Sequence, residues 1–170
     1  YDVADDGTAV GSAHDKNPDG NAAILIGDKV VEIDLSSIAV KHGMSCCTGI
    51  TPDATYVVGW YWEYDEANSY FAQQYGAVIP FCYDVLKDRV TVPVEGERIY
   101  NENAATAIKA VAPDRTLLGY QQSQGIHSII WADENTPYEY VHFEYNDEYE
   151  PLFSLGDTQN LLSQSGRYIY

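Results

Sequence analysis

Residues 111–120 read VAPDRTLLGY, and residues 50–60 read ITPDATYVVGW. Each stretch makes a Pro-Asp turn, runs through a short apolar segment and closes on Gly and an aromatic residue. A looser copy, VADDGTAVG, occupies residues 3–11, and a fourth, LSQSGRYIY, occupies residues 162–170. The turn anchors are Asp6, Asp53, Asp114 and Ser165, separated by 47, 61 and 51 residues on subtracting their numbers. A unit that recurs at about 40–50 residues marks a propeller or a stacked array.

The composition of each copy has a physical cause. Pro presets φ at the first corner of a turn, and an Asp carboxylate accepts bonds from nearby backbone N–H groups. Thr and apolar residues beyond the turn favour an extended strand, and the closing Gly lets another backbone approach. More strands follow each turn. Unit one continues with NAAILIG (21–27) and KVVEIDL (29–35), unit two with YFAQQYGAVIP (70–80) and RVTVPV (89–94), and unit three with HSIIW (127–131) and YEYVHF (138–143). Each unit reads as lead-in strand, post-turn strand, apolar third strand and partly alternating fourth. The Ala-rich stretch NENAATAIK (101–109) has helical propensity, but its place in the repeat makes it the lead-in strand of unit three.

The expected fold class is therefore all-β, a β-propeller or partial propeller of four-stranded antiparallel blades. Blades fall at about 1–45, 46–100 and 101–153, with a partial blade at 154–170, in a single propeller-like domain spanning 1–170. A propeller closes with at least four blades. Three and a half units predict a piece of a larger propeller, or open blade edges that pair with another chain.

The chain has 170 residues, with 15 Tyr and 3 Trp, which is enough length and aromatic mass for a sizeable core. Nine Lys and Arg stand against 26 Asp and Glu, giving a net charge of −17. That balance disfavours a nucleic-acid partner, because no basic stripe is available for a phosphate backbone. No run approaches the roughly 18 apolar residues that a helical membrane span needs. Carboxylate surplus suits a solvated acidic surface and can also hold divalent cations.

Residues 51–60 with 75–81, and residues 112–120 with 125–131, resemble the bacterial extracellular HAF repeats. There an Asn/Asp-Gly turn precedes a Val-Val-Gly strand, and a His-Ala-Phe-like strand ends near Trp. Residues 161–170 also resemble the Ser-Pro-Asp-Gly blades of TolB-like propellers. Gly7 and Gly166 keep the turn glycine of that pattern, whereas Ala54 and Arg115 replace it. The resemblance implies a β-propeller fold in an extracellular, periplasmic or cell-surface protein. It implies no particular reaction.

Candidate chemistry is sparse. Residues 15–21, DKNPDGN, match the opening of a calcium loop, making Asp15, Asn17 and Asp19 the candidate metal ligands. Ala23 and Ile26 occupy the ninth and twelfth positions, where such a loop needs its closing oxygens. A polar hairpin explains the same residues and is the preferred reading. No other cofactor is indicated.

Tyr138, Tyr140 and His142 would share one strand face, beside carboxylates that could help bind a sugar or cation. An outer strand with a solvated loop is the plainer account. Trp60, Trp62 and Tyr64 alternate as a binding platform or, preferably, as inter-sheet core. Cys46, Cys47 and Cys82 show no metal or redox spacing, and strand geometry predicts free, buried thiols. No Gly-x-Ser-x-Gly elbow or His-Glu-x-x-His motif occurs. The leading expectation is a non-catalytic secreted or cell-envelope binding module for a protein or carbohydrate ligand. The alternative is the accessory propeller of a hydrolase such as a peptidase, whose catalytic domain lies outside these residues. Function is sought in the unlike segments, residues 15–21, 63–68 and 145–157.

Overall fold

Three turns of one design organise the chain in the computed structural model, which describes residues 1–15, 18, 20–39, 42–63, 78–96, 105–122 and 126–141. In the first turn the Ala4 N–H donates to the Thr8 carbonyl (2.8 Å), Gly7 donates to Ala4 (3.0 Å), and Thr8 N–H donates to Asp6 Oδ1 (2.8 Å). The third repeats this with Ala112 to Thr116 (2.9 Å), Arg115 to Ala112 (2.9 Å) and Thr116 to Asp114 Oδ1 (3.0 Å). The second is one residue longer, since Thr51 N–H reaches the Tyr56 carbonyl (2.9 Å). All three need one left-handed residue, filled by Gly7 (φ 85°), Ala54 (φ 57°) and Arg115 (φ 69°).

An L-residue strains there and Gly does not. Ala54→Gly is therefore expected to raise stability in urea by about 0.5 kcal/mol, after Gly's greater freedom in the unfolded chain is discounted. A loss of stability would contradict this account of the turn.

Each turn leads into a four-stranded antiparallel meander. The first sheet holds β1 (Asp2–Val3), β2 (Ala9–Ala13), β3 (Asn21–Ile26) and β4 (Lys29–Glu32). The second holds β5 (His42–Ile50), β6 (Tyr56–Glu63), β7 (Val78–Asp84) and β8 (Arg89–Thr91). The third holds β9 (Ala105–Val111), β10 (Leu117–Gln122), β11 (Ile126–Trp131) and β12 (Glu139–Tyr140). The fold is all-β, and no helix occurs among the described residues. The described part of the Ala-rich stretch, residues 105–109, lies in strand β9, as the repeat required and propensity did not. The fourth turn copy lies outside the described residues.

Registers repeat as well. Gly11 faces Ala23, Gly59 faces Phe81 and Gly119 faces Ile129 across equivalent strand pairs. β5 and β9 each carry a bulge at the same place, leaving Thr48 and Lys109 unpaired. Thr48 uses the freed position to donate its hydroxyl to the Ile108 carbonyl of the next sheet (2.7 Å).

The sheets pack face to face in chain order. Val10, Ala22 and Ile24 of the first meet Cys47, Val57, Tyr61 and Phe81 of the second. Tyr56, Val58 and Cys82 on the second sheet's other face meet Ile108, Leu117, Ile129 and Trp131 of the third. β6 is thus covered on both sides, which explains its near-continuous apolar reading. The first strands of successive sheets are neighbours, β1 beside β5 and β5 beside β9. Asp2 Oδ2 accepts from the Ile50 N–H (3.0 Å), and Asp5 N–H donates to the Pro52 carbonyl (2.9 Å), which bonds the first turn to the second.

Candidate functional site

A group of charged side chains lies between the second and third sheets. Arg115 sits in the strained turn corner, and its guanidinium passes over the Tyr56 ring, 4.4 Å from the centroid. Its Nη1 then reaches Asp84 Oδ2 at 3.2 Å, while Lys87 Nζ meets the same oxygen at 2.9 Å. Asp84 ends β7 and is buried. The Lys87 hydrogen bonds, with Arg115 behind them, hold its carboxyl below the usual range. Such a group stabilises the fold above the ordinary carboxylate value, and that stability is lost as pH falls through the lower folded value.

Asp53 and Asp6 are lowered too, chiefly by hydrogen bonds from Thr51 and Thr8, so all three contribute with the same sign. Asp84→Asn should lower stability at pH 7 by about 1 kcal/mol, the Lys87 head being largely solvated, and should flatten the loss of stability below about pH 4. An unchanged acid limb in urea melts would contradict this.

Beneath the guanidinium, the Tyr56 hydroxyl is buried without a hydrogen-bond partner among the described residues. Burial first, then Cys82 and Glu134 nearby, hold the phenol well above its ordinary value. Burial also pushes the Cys82 thiol up to about 12 and raises Cys46 and Cys47. All three thiols are free and buried, as strand geometry required. These protonated thiols are not poised for nucleophilic chemistry. The cluster ties the second sheet to the third.

A second group follows along the same seam. Trp131 donates its Nε1–H to the Val94 carbonyl (2.9 Å) and stands edge-on to Tyr138, with centroids 5.4 Å apart at 81°. Gln121 is fully buried, donating Nε2–H to the Tyr138 hydroxyl (2.8 Å) and accepting from the Tyr140 hydroxyl. Tyr138 and Tyr140 therefore face the seam and not a solvated ligand. This corrects the view of that strand face as an open aromatic surface. The repeat hid the reason: Gln121 supplies a buried polar partner that makes inward-facing tyrosines tolerable.

At the sheet ends opposite the Pro-Asp turns, Trp60 and Trp62 are half-buried, their rings 6.5 Å apart at 33°. His42 meets Tyr61 edge-on at 6.2 Å there. The tryptophans are neither full core nor a bare platform. Tyr64 lies outside the described residues, as do His142, residues 64–68 and residues 145–157.

Of the calcium candidates, Asp15 is exposed at a bend after β2, while Asn17 and Asp19 lie outside the described residues. His14 Nδ1 and the Pro18 carbonyl oxygen are 3.1 Å apart in the same connection. A side chain on Gly20 (φ 94°) would press on His14 at 2.9 Å. The Gly of the motif thus serves the turn. No group of three or more His, Cys, Asp or Glu positioned for a metal occurs among the described residues. No helix among them is long and apolar enough to cross a membrane. Comparison with known proteins finds no matching family model, no matching curated protein and no matching solved structure.

Proposed function

We propose that residues 1–170 form part of a β-propeller that serves as a non-catalytic binding module outside the cell, in the periplasm or on the cell surface. One observation supports this above all: successive four-stranded meanders pack in chain order with their first strands adjacent. Blades of a propeller stand that way around an axis, each first strand innermost. Propellers recognise ligands at the ends of their blades, on the loops that the scaffold holds.

Among the described residues, Trp60 and Trp62 suit such contact, since a half-buried indole offers a rigid apolar face to a sugar or a protein loop. Titration with a panel of neutral oligosaccharides and short peptides, followed by tryptophan fluorescence, tests the reading. Saturable quenching that disappears in Trp62→Ala, with every probe recovered intact, is the expected result. Cleavage of any probe by the purified protein, or no quenching by any of them, would overturn it.

A further inference from the structure

We infer that the joint between the second and third sheets is a parting line, which opens to solvent while the first and second sheets stay together. The two joints, aligned position by position, differ in what their main chains can bond. Main-chain groups lock the first. At its turn end Asp5 N–H donates to the Pro52 carbonyl (2.9 Å), and Ile50 N–H donates to Asp2 Oδ2 (3.0 Å). Deeper in, Ala22 N–H donates to Ser45 Oγ (2.8 Å), and Ser45 N–H donates to the Gly20 carbonyl (3.0 Å).

The turns and strand registers give each group its counterpart one sheet on. Asp5 corresponds to Pro52, Asp2 to Gly49, Ala22 to Pro80 and Ser45 to Thr106. Three of the bonds therefore cannot recur. Pro52 and Pro80 have no N–H to donate, and Gly49 has no side chain to accept. The Thr106 hydroxyl carries the consequence. It is buried with no hydrogen-bond partner, where Ser45 accepts from Ala22. The Tyr56 hydroxyl, likewise unpartnered, lies on the same joint. Solvent pairs both hydroxyls once the joint parts, so opening regains bonds that closure withholds.

Side chains hold most of what remains. Arg115, one-third exposed, reaches Asp84 at 3.2 Å, and Thr48 Oγ1 donates to the Ile108 carbonyl (2.7 Å). Val94 to Glu134 (3.0 Å) is the joint's one main-chain pair among the described residues, and it lies beyond β8. Each missing bond favours opening by a factor of roughly 2–10. Local opening along such a line is a sub-global event, distinct from unfolding of the whole chain.

Two buried thiols report the joints separately, since Cys47 faces the first and Cys82 the second. Alkylation by iodoacetamide at rising, sub-denaturing urea, read by tandem mass spectrometry in a Cys46→Ala background, tests the inference. Each rate is taken relative to that of the same thiol in the unfolded chain. Cys82 should react at least about tenfold faster than Cys47, with the weaker urea dependence of a partial opening. Ser45→Ala removes a bond that survives the partial opening, so it should speed Cys47 several-fold and leave Cys82 unchanged. Thr106→Val removes the orphan hydroxyl at constant shape and should slow both thiols several-fold. Equal rates with one urea dependence, a Ser45→Ala chain in which both thiols accelerate alike, or a Thr106→Val chain in which Cys82 reacts no more slowly would overturn the proposal.

Discussion

Gly59→Ala and Gly119→Ala are each expected to lower stability by about 3 kcal/mol, whereas Gly11→Ala should change it by less than about 0.5 kcal/mol. The three residues occupy one repeat position, so propensity alone predicts equal effects. Their surroundings differ. A Cβ on Gly59 would overlap the Cys46 carbonyl oxygen and sit 2.7 Å from the Phe81 ring. One on Gly119 would overlap the Ala107 carbonyl oxygen and sit 2.9 Å from Trp131. Backbone on one side and a buried ring on the other cannot both yield without moving a sheet. On Gly11 the nearest atom is Tyr1 Cδ2 at 3.1 Å, on a side chain that can swing aside. For a chain of this length the two large effects correspond to a Tm lower by roughly 6–12 °C. Equal effects at all three positions in thermal melts would contradict the packing described.

Trp131→Ala is expected to cost about 4 kcal/mol, the range for deleting a fully buried large aromatic side chain. The residue is 1% exposed and does two jobs. Its ring fills the seam against Tyr138, and its indole N–H satisfies the Val94 carbonyl, in the segment that follows β8. Val94 in turn donates its N–H to the Glu134 carbonyl (3.0 Å). The indole therefore ties the end of the second sheet to the third. Trp131→Phe keeps most of the volume but strands that carbonyl, and should cost about 2 kcal/mol. Amide exchange at Val94 should accelerate in both variants. Unchanged exchange there would show that the tie is not formed.

The sequence exposed the scaffold because the scaffold is repeated. Asp6, Asp53 and Asp114 mark three turns of one design, the second a residue longer than the others, and a four-stranded sheet is built around each. The repeat also overrode helical propensity at residues 105–109, because β9 gains its stability from pairing with β10 and from packing on the second sheet. The seam was less legible. Arg115 and Asp84 are 31 residues apart and belong to no motif. One signal did exist: Arg115 stands where the turn wants Gly, and a long side chain held at positive φ asks for compensation elsewhere. Tyr138 and Tyr140 read as an exposed alternating strand because their buried partner, Gln121, comes from another strand.

Distances between spin labels test the central claim most directly. Cysteines introduced for Asp5, Pro52 and Pro113 occupy the same corner of the three turns, and the three native thiols are buried away from the label. Sheets arranged as propeller blades place the labels on an arc. The 5–52 and 52–113 distances should then agree, and the 5–113 distance should exceed them by a factor of roughly 1.4 for four blades, rising to roughly 1.85 for eight. Unequal neighbour distances, or a factor of two as in a straight stack, would contradict the account.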